Sequence, residues 1–162
     1  MICHPIPPVW NADARILILG SFPSVRSREI GFFYGHPQNR FWRTLSAVFD
    51  EDIPSSIEEK IAFLHRRRIA LWDVIASCEI TGSADASIKN VTPNDLLPIL
   101  HGAPIRRIIT NGKTANALYR RYQYPITGME ALCLPSTSPA NARFREDDLA
   151  EAWRILREFA KE

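Results

Sequence analysis

The sequence predicts an α/β fold: a three-layer α/β/α sandwich with a central, mainly parallel four-stranded sheet. Short, continuous apolar runs of strand length recur at residues 15–19, 69–72, 106–110 and 131–134. Runs without polar alternation are what strands buried on both faces look like, and such strands belong in parallel sheets. The intervening segments carry helical periodicity, so strands and helices alternate. The chain has 162 residues, 46% hydrophobic and 23% charged. That is the length and balance of one globular domain, residues 1–162, with a sizeable core.

Residues 5–8 hold three prolines and read as a lead-in packed on the surface, because closely spaced prolines cannot join a sheet interior. The first strand, residues 15–19, ends at Gly20. A helix follows an aromatic loop, with Phe41, Leu45, Val48 and Phe49 on one face and Asn39 where an N-cap belongs. A second helix, residues 56–67, precedes the strand at 69–72 and ends in Arg66, Arg67 and Arg68, favourable for the helix dipole. Asp73 and residues 77–88 read as a long polar loop. Thr92, Pro93, Asn94 and Asp95 have the composition of a helix start, and that helix ends near His101 and Gly102. After the strand at 106–110, Asn111 and Gly112 break the chain before a helix at 113–122. The fourth strand is 131–134, and Leu149, Trp153, Leu156 and Ala160 mark a closing amphipathic helix with acids in its first turn.

Composition excludes several classes. No apolar run approaches the roughly 20 residues that span a bilayer, and the N-terminus lacks the regions of a signal peptide, so the chain reads as cytoplasmic. Cys3, Cys78 and Cys133 are odd in number and far apart, which favours buried apolar thiols over a disulfide framework or a metal site. Net charge is only +2, yet arginine outnumbers lysine 16 to 4, and Arg26, Arg28, Arg40 and Arg43 face a single acid between residues 20 and 45. A local basic face of that kind can bind phosphates.

The most distinctive stretch is residues 31–42, Gly-Phe-Phe-Tyr-Gly-His-Pro-Gln-Asn-Arg-Phe-Trp. Rings interleaved with His36, Gln38, Asn39 and Arg40 suit a pocket for a flat polar ligand better than a core or a surface loop. In parallel sheets, ligands bind outside the carboxyl ends of the strands. Here those ends are residues 20–24, Asp73, Asn111 with Gly112, and residues 135–141, all small or polar, with the aromatic loop following the first. One site is placed by this alone. A dinucleotide is disfavoured, since Gly20-Ser21-Phe22-Pro23-Ser24 holds one glycine rather than G-x-G-x-x-G.

Gly20-Ser21-Phe22-Pro23, the aromatic stretch, and Ser138-Pro139 followed by Asn141 together resemble, in order and spacing, the motifs of the uracil-DNA glycosylase superfamily. The resemblance covers nearly the whole chain. Residues 31–42 are similar to the GFPFAHPANRFW stretch of mismatch-specific uracil-DNA glycosylases, and Asn111-Gly112-Lys113 resembles the glycine-lysine turn after a late strand. Most members carry Asp or Asn at the position of Phe22, to direct water, and His at the position of Ser136, to stabilise the departing base. Loss of both, with Asn39 kept, is similar to the hypoxanthine-DNA glycosylase branch, as are Trp72-Asp73-Val74 and Ser77-Cys78-Glu79.

The resemblance implies a monofunctional DNA glycosylase that flips a deaminated base, hypoxanthine, out of DNA in base excision repair. It assigns catalysis to Asn39, base contacts to Tyr34, Phe33, Gly20, Ser21, Phe22 and Asn111, and DNA contacts to Ser138, Pro139, Asn141, Arg143, Ser24 and Lys113. Tyr34 takes the stacking position, with Phe33 as second choice, and Ala140 lies near where relatives place a wedge. Arg40 is a further candidate for the duplex. No metal or organic cofactor is implied; the partner is double- or single-stranded DNA with a damaged base, and the protein is expected to be a monomer without membrane contact. Breaking an N-glycosidic bond passes through an oxocarbenium-like sugar and a departing base anion. An amide is no general base, so Asn39 either positions water through its oxygen or donates from its nitrogen to the leaving base.

Each assignment has a plainer competitor. Asn39 alone would be an N-cap, Tyr34 a partly buried core ring, His36 a loop anchor, and Ser138 with Asn141 a turn. A uracil- or mismatch-specific glycosylase of the same fold, or a binding module that has lost catalysis, remains open.

Overall fold

The computed structural model describes residues 1–162. Its centre is a four-stranded parallel sheet of β2 (Ile16–Gly20), β3 (Ile69–Asp73), β6 (Arg107–Asn111) and β7 (Ala131–Leu134), in the spatial order β3-β2-β6-β7. Every residue of β2 is buried, because helices cover both faces. Ile16 and Ile18 point into a cluster with Phe41, Leu45, Phe63, Leu149 and Trp153. Leu17 and Leu19 point into a second cluster with Ala70, Ile99, Ala103 and Tyr119. The two-residue period of the strand thus feeds two cores, one on each side of the sheet.

The first core is built by α2 (Phe41–Phe49), α3 (Ile57–Arg66), α7 (Glu146–Trp153) and α8 (Ile155–Phe159), and the second by α4 (Leu97–Gly102) and α5 (Lys113–Tyr122). Two short helices, α1 (Val25–Ile30) and α6 (Tyr124–Thr127), complete the set. The three-layer expectation therefore holds. No helix is long and apolar enough to cross a membrane.

Several local expectations are corrected. Residues 77–88 are not one loop: β4 (Ile75–Glu79) pairs antiparallel with β5 (Lys89–Pro93) and with β1 (Ile2–Cys3) in a separate small sheet. Thr92 and Pro93 accordingly end a strand rather than open a helix. Asn94 spends its amide on the carbonyls of Asp73 and Ile75, and Asp95 accepts the Leu97 N–H as α4 begins. The proline-rich lead-in is tied into the protein as well as lying along it. Ile6 is buried, and Val9 bridges to Leu71. The closing helix is broken at Arg154. Of the three thiols only Cys78 is buried; Cys3 is exposed and Cys133 half-buried. Arg66 and Arg67 both pair with Glu51, on the outer side of α3.

Parallel register aligns the strand ends. Gly20 lies opposite Asp73, and Asn111 opposite Leu134. At Gly20 a Cβ would collide with Asp73 Oδ1 and stand 3.0 Å from the Tyr34 hydroxyl, so only glycine allows β3 and the aromatic loop to close here. Trp153 anchors the far side: it is fully buried and its indole N–H donates to the Pro135 carbonyl at 2.9 Å. Trp153→Ala is expected to remove about 3–5 kcal/mol of unfolding free energy, measured by urea denaturation followed by circular dichroism.

Candidate active site

The four strand ends and the aromatic loop enclose a cavity of about 340 Å³. Its wall includes Gly20, Ser21, Phe22, Ser24, Phe33, Tyr34, Asn39, Asn111, Ser138 and Pro139 from the sequence prediction, and also Ser27, His36, Asp73, Asp85, Ser136, Thr137 and Ala140. Asn141, Arg143 and Lys113 are not on this wall. They line an adjoining groove that shares Asp85, Asn111, Ser136, Ser138 and Ala140 with the cavity.

Asn39 is held by a relay whose polarity is fixed at one end by the backbone. The Thr137 N–H donates to Asn111 Oδ1 at 3.0 Å, which makes the other amide atom of Asn111 its nitrogen. That nitrogen donates to the Tyr34 hydroxyl at 3.1 Å and to Thr137 Oγ1 at 3.0 Å. The Thr137 hydroxyl, its lone pair engaged, donates onward to Asn39 Oδ1 at 3.0 Å, which also accepts the Phe41 N–H at 2.9 Å. Both acceptor directions of the Asn39 oxygen are thereby occupied, while its Nδ2 has no partner within the protein. The N-cap of α2 is Arg40, one residue later than the sequence suggested, and it makes no side-chain cap bond. Asn39 instead closes a turn onto the helix and presents N–H groups to the cavity.

The same bonds redefine Asn111. Both of its amide N–H groups and one acceptor direction of its oxygen are used inside the protein, so it braces Tyr34, Thr137 and, through Thr137, Asn39.

Tyr34 adopts a left-handed backbone, φ 53°, a conformation that costs a non-glycine residue energy and that tertiary packing must hold. The holding contacts are visible. Gly35 N–H donates to Ser27 Oγ at 2.9 Å, and the Tyr34 ring stacks on Phe41 with centroids 4.0 Å apart and planes 17° from parallel. Phe41 thus backs one face of Tyr34, and the residue is only half-buried. Burial first, and the charge of Asp73 second, push the phenol far above its ordinary pKa, against the lowering effect of the Asn111 hydrogen bond. Tyr34 is therefore a neutral ring. Phe33 is buried, packs on Phe32 and His4, and gives its carbonyl to the Trp42 indole, so it serves the core beneath the cavity.

Arg40, a sequence candidate for DNA, is committed elsewhere. Its guanidinium donates to the carbonyls of Ser138, Asn141 and Phe144, and its N–H donates to the Thr137 carbonyl at 3.0 Å, clamping the last loop to α2. In that loop Ser138 Oγ accepts the Ala140 N–H and Asn141 donates to the Ser136 carbonyl, which makes the turn the sequence allowed. Ser24 caps α1 through the Ser27 N–H. Ser21 donates to Asp85, whose carboxyl is raised by desolvation at the cavity wall, lowered by that hydrogen bond and raised again by the charge of Asp73. Arg143 and Lys113 are exposed. No cluster of three His, Cys, Asp or Glu side chains could hold a metal ion.

Sequence reasoning put Asp73 and residues 135–141 at the site but gave Thr137 and Asp73 no role, and it missed His4. A threonine inside Ser-Thr-Ser looks like turn composition, and nothing in the sequence marks it as fully buried. Asp73 was visible as a strand end, but its partner His4 is 69 residues away.

Residues 7–157 match the family described as the uracil DNA glycosylase superfamily. A hypoxanthine DNA glycosylase of Methanosarcina acetivorans is 35% identical over 161 residues, covering 97% of this chain and 99% of that protein. One from Methanosarcina barkeri is 35% identical over 156 residues, covering 91% and 96%. The solution NMR structure of a candidate uracil DNA glycosylase from Methanosarcina acetivorans superposes with a TM-score of 0.80 at 35% identity, over 97% of this chain and 99% of that one. The chain belongs to the uracil DNA glycosylase superfamily.

Thr137→Val removes the donor that holds Asn39 and leaves the Asn111 amide short of an acceptor. A fall in stability of about 1–3 kcal/mol is expected, read by thermal unfolding, together with a loss of base release at temperatures where the variant is still fully folded.

Proposed function

We propose that this protein is a monofunctional DNA glycosylase that extrudes hypoxanthine from DNA and hydrolyses its bond to deoxyribose. The observation that carries the reading is the Asn39 amide, oriented by Thr137 and Phe41 so that only N–H donors face the cavity. Departure of the base leaves electron density on its ring nitrogens and oxygen, and a fixed donor at that place is stronger in the transition state than before it. Of the two roles the sequence left open for Asn39, donation to the leaving base is the one supported, since its oxygen is occupied. Water supplies the oxygen that bonds to the anomeric carbon as the bond to the base nitrogen breaks, and its proton is lost to solvent or to the departing base. No lysine lines the cavity, which is in keeping with simple hydrolysis and an abasic product rather than strand cleavage through a Schiff base.

In this reading Tyr34, backed by Phe41, is the stacking surface for the base, and Gly20, Ser21 and Phe22 form the floor against which it lies. Ser24, Ser138 and Pro139 at the cavity, with Asn141, Arg143 and Lys113 along the adjoining groove, follow the DNA backbone. The relatives named hypoxanthine DNA glycosylase support the choice of base. The protein works as a monomer in the cytoplasm, on double- or single-stranded DNA that contains the damaged base.

Matched duplexes carrying hypoxanthine or uracil provide the test, with strand scission assayed before and after alkali. Wild type is expected to release hypoxanthine faster than uracil and to leave alkali-labile sites. Asn39→Ala should slow release by about 100- to 1,000-fold at temperatures where the variant is still fully folded; its thermal midpoint falls as well, because the Thr137 hydroxyl and the Phe41 N–H lose their acceptor. Faster uracil release would assign the uracil-specific activity instead; binding to an abasic duplex without any release would assign a binding module.

A further inference from the structure

Behind Gly20, at the end of β3, a buried carboxylate has one oxygen engaged and the other unused. Asp73 is 3% exposed, and its Oδ2 is 2.7 Å from His4 Nε2. The donor in that contact can be named. His4 Nδ1 accepts the Ile6 N–H at 3.2 Å, so the proton of the neutral ring is on Nε2 and is given to Asp73. Asp73 Oδ1 receives no hydrogen bond from the protein, although Asp73 forms part of the cavity wall. This oxygen is the atom that a Cβ at Gly20 would strike, beside the Tyr34 hydroxyl. Asp73 Oδ1 is not sealed in the interior: it opens on the cavity, so a ligand that displaces water there must supply its donor.

We infer that Asp73 Oδ1 accepts the ring N–H of the extruded base, N1–H in hypoxanthine, and that His4 is the positioning residue which fixes the carboxylate by occupying Oδ2. The inference rests on the glycosylase reading above and adds the determinant that separates hypoxanthine from adenine. Deamination of adenine to hypoxanthine turns N1 from an acceptor into a donor, the one change on the ring itself that an acceptor-only group detects. Adenine would bring its N1 lone pair against a carboxylate, whereas hypoxanthine meets it with a hydrogen. The sorting is by ring N–H, so it rejects adenine and cytosine but also admits uracil and thymine through N3–H and guanine through N1–H; ring size, stacking and the fit of the thymine methyl and guanine amino groups decide among those. Asp85 is a poorer candidate, because it lies on the exposed loop between β4 and β5 and already takes the Ser21 hydroxyl.

The test pairs two bases with four proteins. Single-turnover release is measured from duplexes carrying hypoxanthine or unsubstituted purine, which has an N1 lone pair and no N1–H, for wild type, Asp73→Asn, His4→Ala and His4→Gln. In Asp73→Asn the His4 N–H still requires an acceptor, so the carboxamide oxygen turns to His4 and its NH₂ enters the cavity, reversing the edge. The hypoxanthine rate is expected to fall by about 100-fold or more, and purine to fall far less or to rise. His4→Ala should move the hypoxanthine-to-purine ratio the same way, and His4→Gln, which can donate its amide N–H, should restore much of it. A purely structural histidine would slow both bases alike. Equal losses on both bases in Asp73→Asn would overturn the inference and assign Asp73 to water or to packing. An unchanged ratio in every variant would overturn it too. Should Asp73→Asn not fold, as judged by its thermal transition, the two His4 variants decide by the same ratio. Wild type inactive on hypoxanthine would instead refute the activity reading, and that result is separate from an active wild type whose ratio does not move.

Discussion

The arrangement depends on one hydrogen-bond relay, from the Thr137 backbone to Asn111, back to the Thr137 hydroxyl and on to Asn39. Three segments far apart in sequence meet in it: the end of β6, the loop after β7 and the turn into α2. Each member is satisfied by the next, so the relay has a single polarity, and that polarity decides which face of the Asn39 amide the cavity sees. A one-residue change of strand register would send Asn111 to the opposite face of the sheet and undo it. The apolar sheet is thus a jig for a polar device. Ile108 and Ile109, buried in separate cores, hold β6 in place so that Asn111 can reach Thr137.

The aromatic loop is positioned by a different balance. The left-handed backbone at Tyr34 is unfavourable by itself, and stacking on Phe41, the Asn111 bond to its hydroxyl and the Gly35 bond to Ser27 offset it. The missing Cβ of Gly20 makes room for the result. Arg40 closes the assembly from behind. Its three carbonyl contacts join the last loop to α2 and so tie together the two loops that flank Asn39. An arginine in a basic stretch invites a phosphate reading; here the guanidinium serves as a bracket, whereas Arg143 and Lys113 stay exposed.

Much of this could be read before folding. The strands of the parallel sheet are short apolar runs because both of their faces are covered, and that constraint is local enough to be written in four or five consecutive residues. The small antiparallel sheet was not legible. Lys89, Asn90 and Thr92 of β5 are exposed and carry no apolar alternation, so their strand state comes from pairing with β4. Thr92-Pro93-Asn94-Asp95 shows the same limit: good local capping chemistry lost to a ladder that the sequence does not display.

The sequence by itself determined the layer architecture, the location of the site at the carboxyl ends of the strands, and the importance of residues 31–42, because burial periodicity and motif spacing are properties of neighbouring residues. Tertiary structure alone decided that Thr137 is a buried hub, that Asn111 braces Thr137 while the Asn39 oxygen is held by the Thr137 hydroxyl, and that His4, just past β1, holds Asp73 at the cavity wall. The physical reason is that a hydrogen bond is directional and short. Its meaning depends on which atoms lie within about 3 Å, and for residues as far apart as His4 and Asp73 only the folded backbone sets that distance.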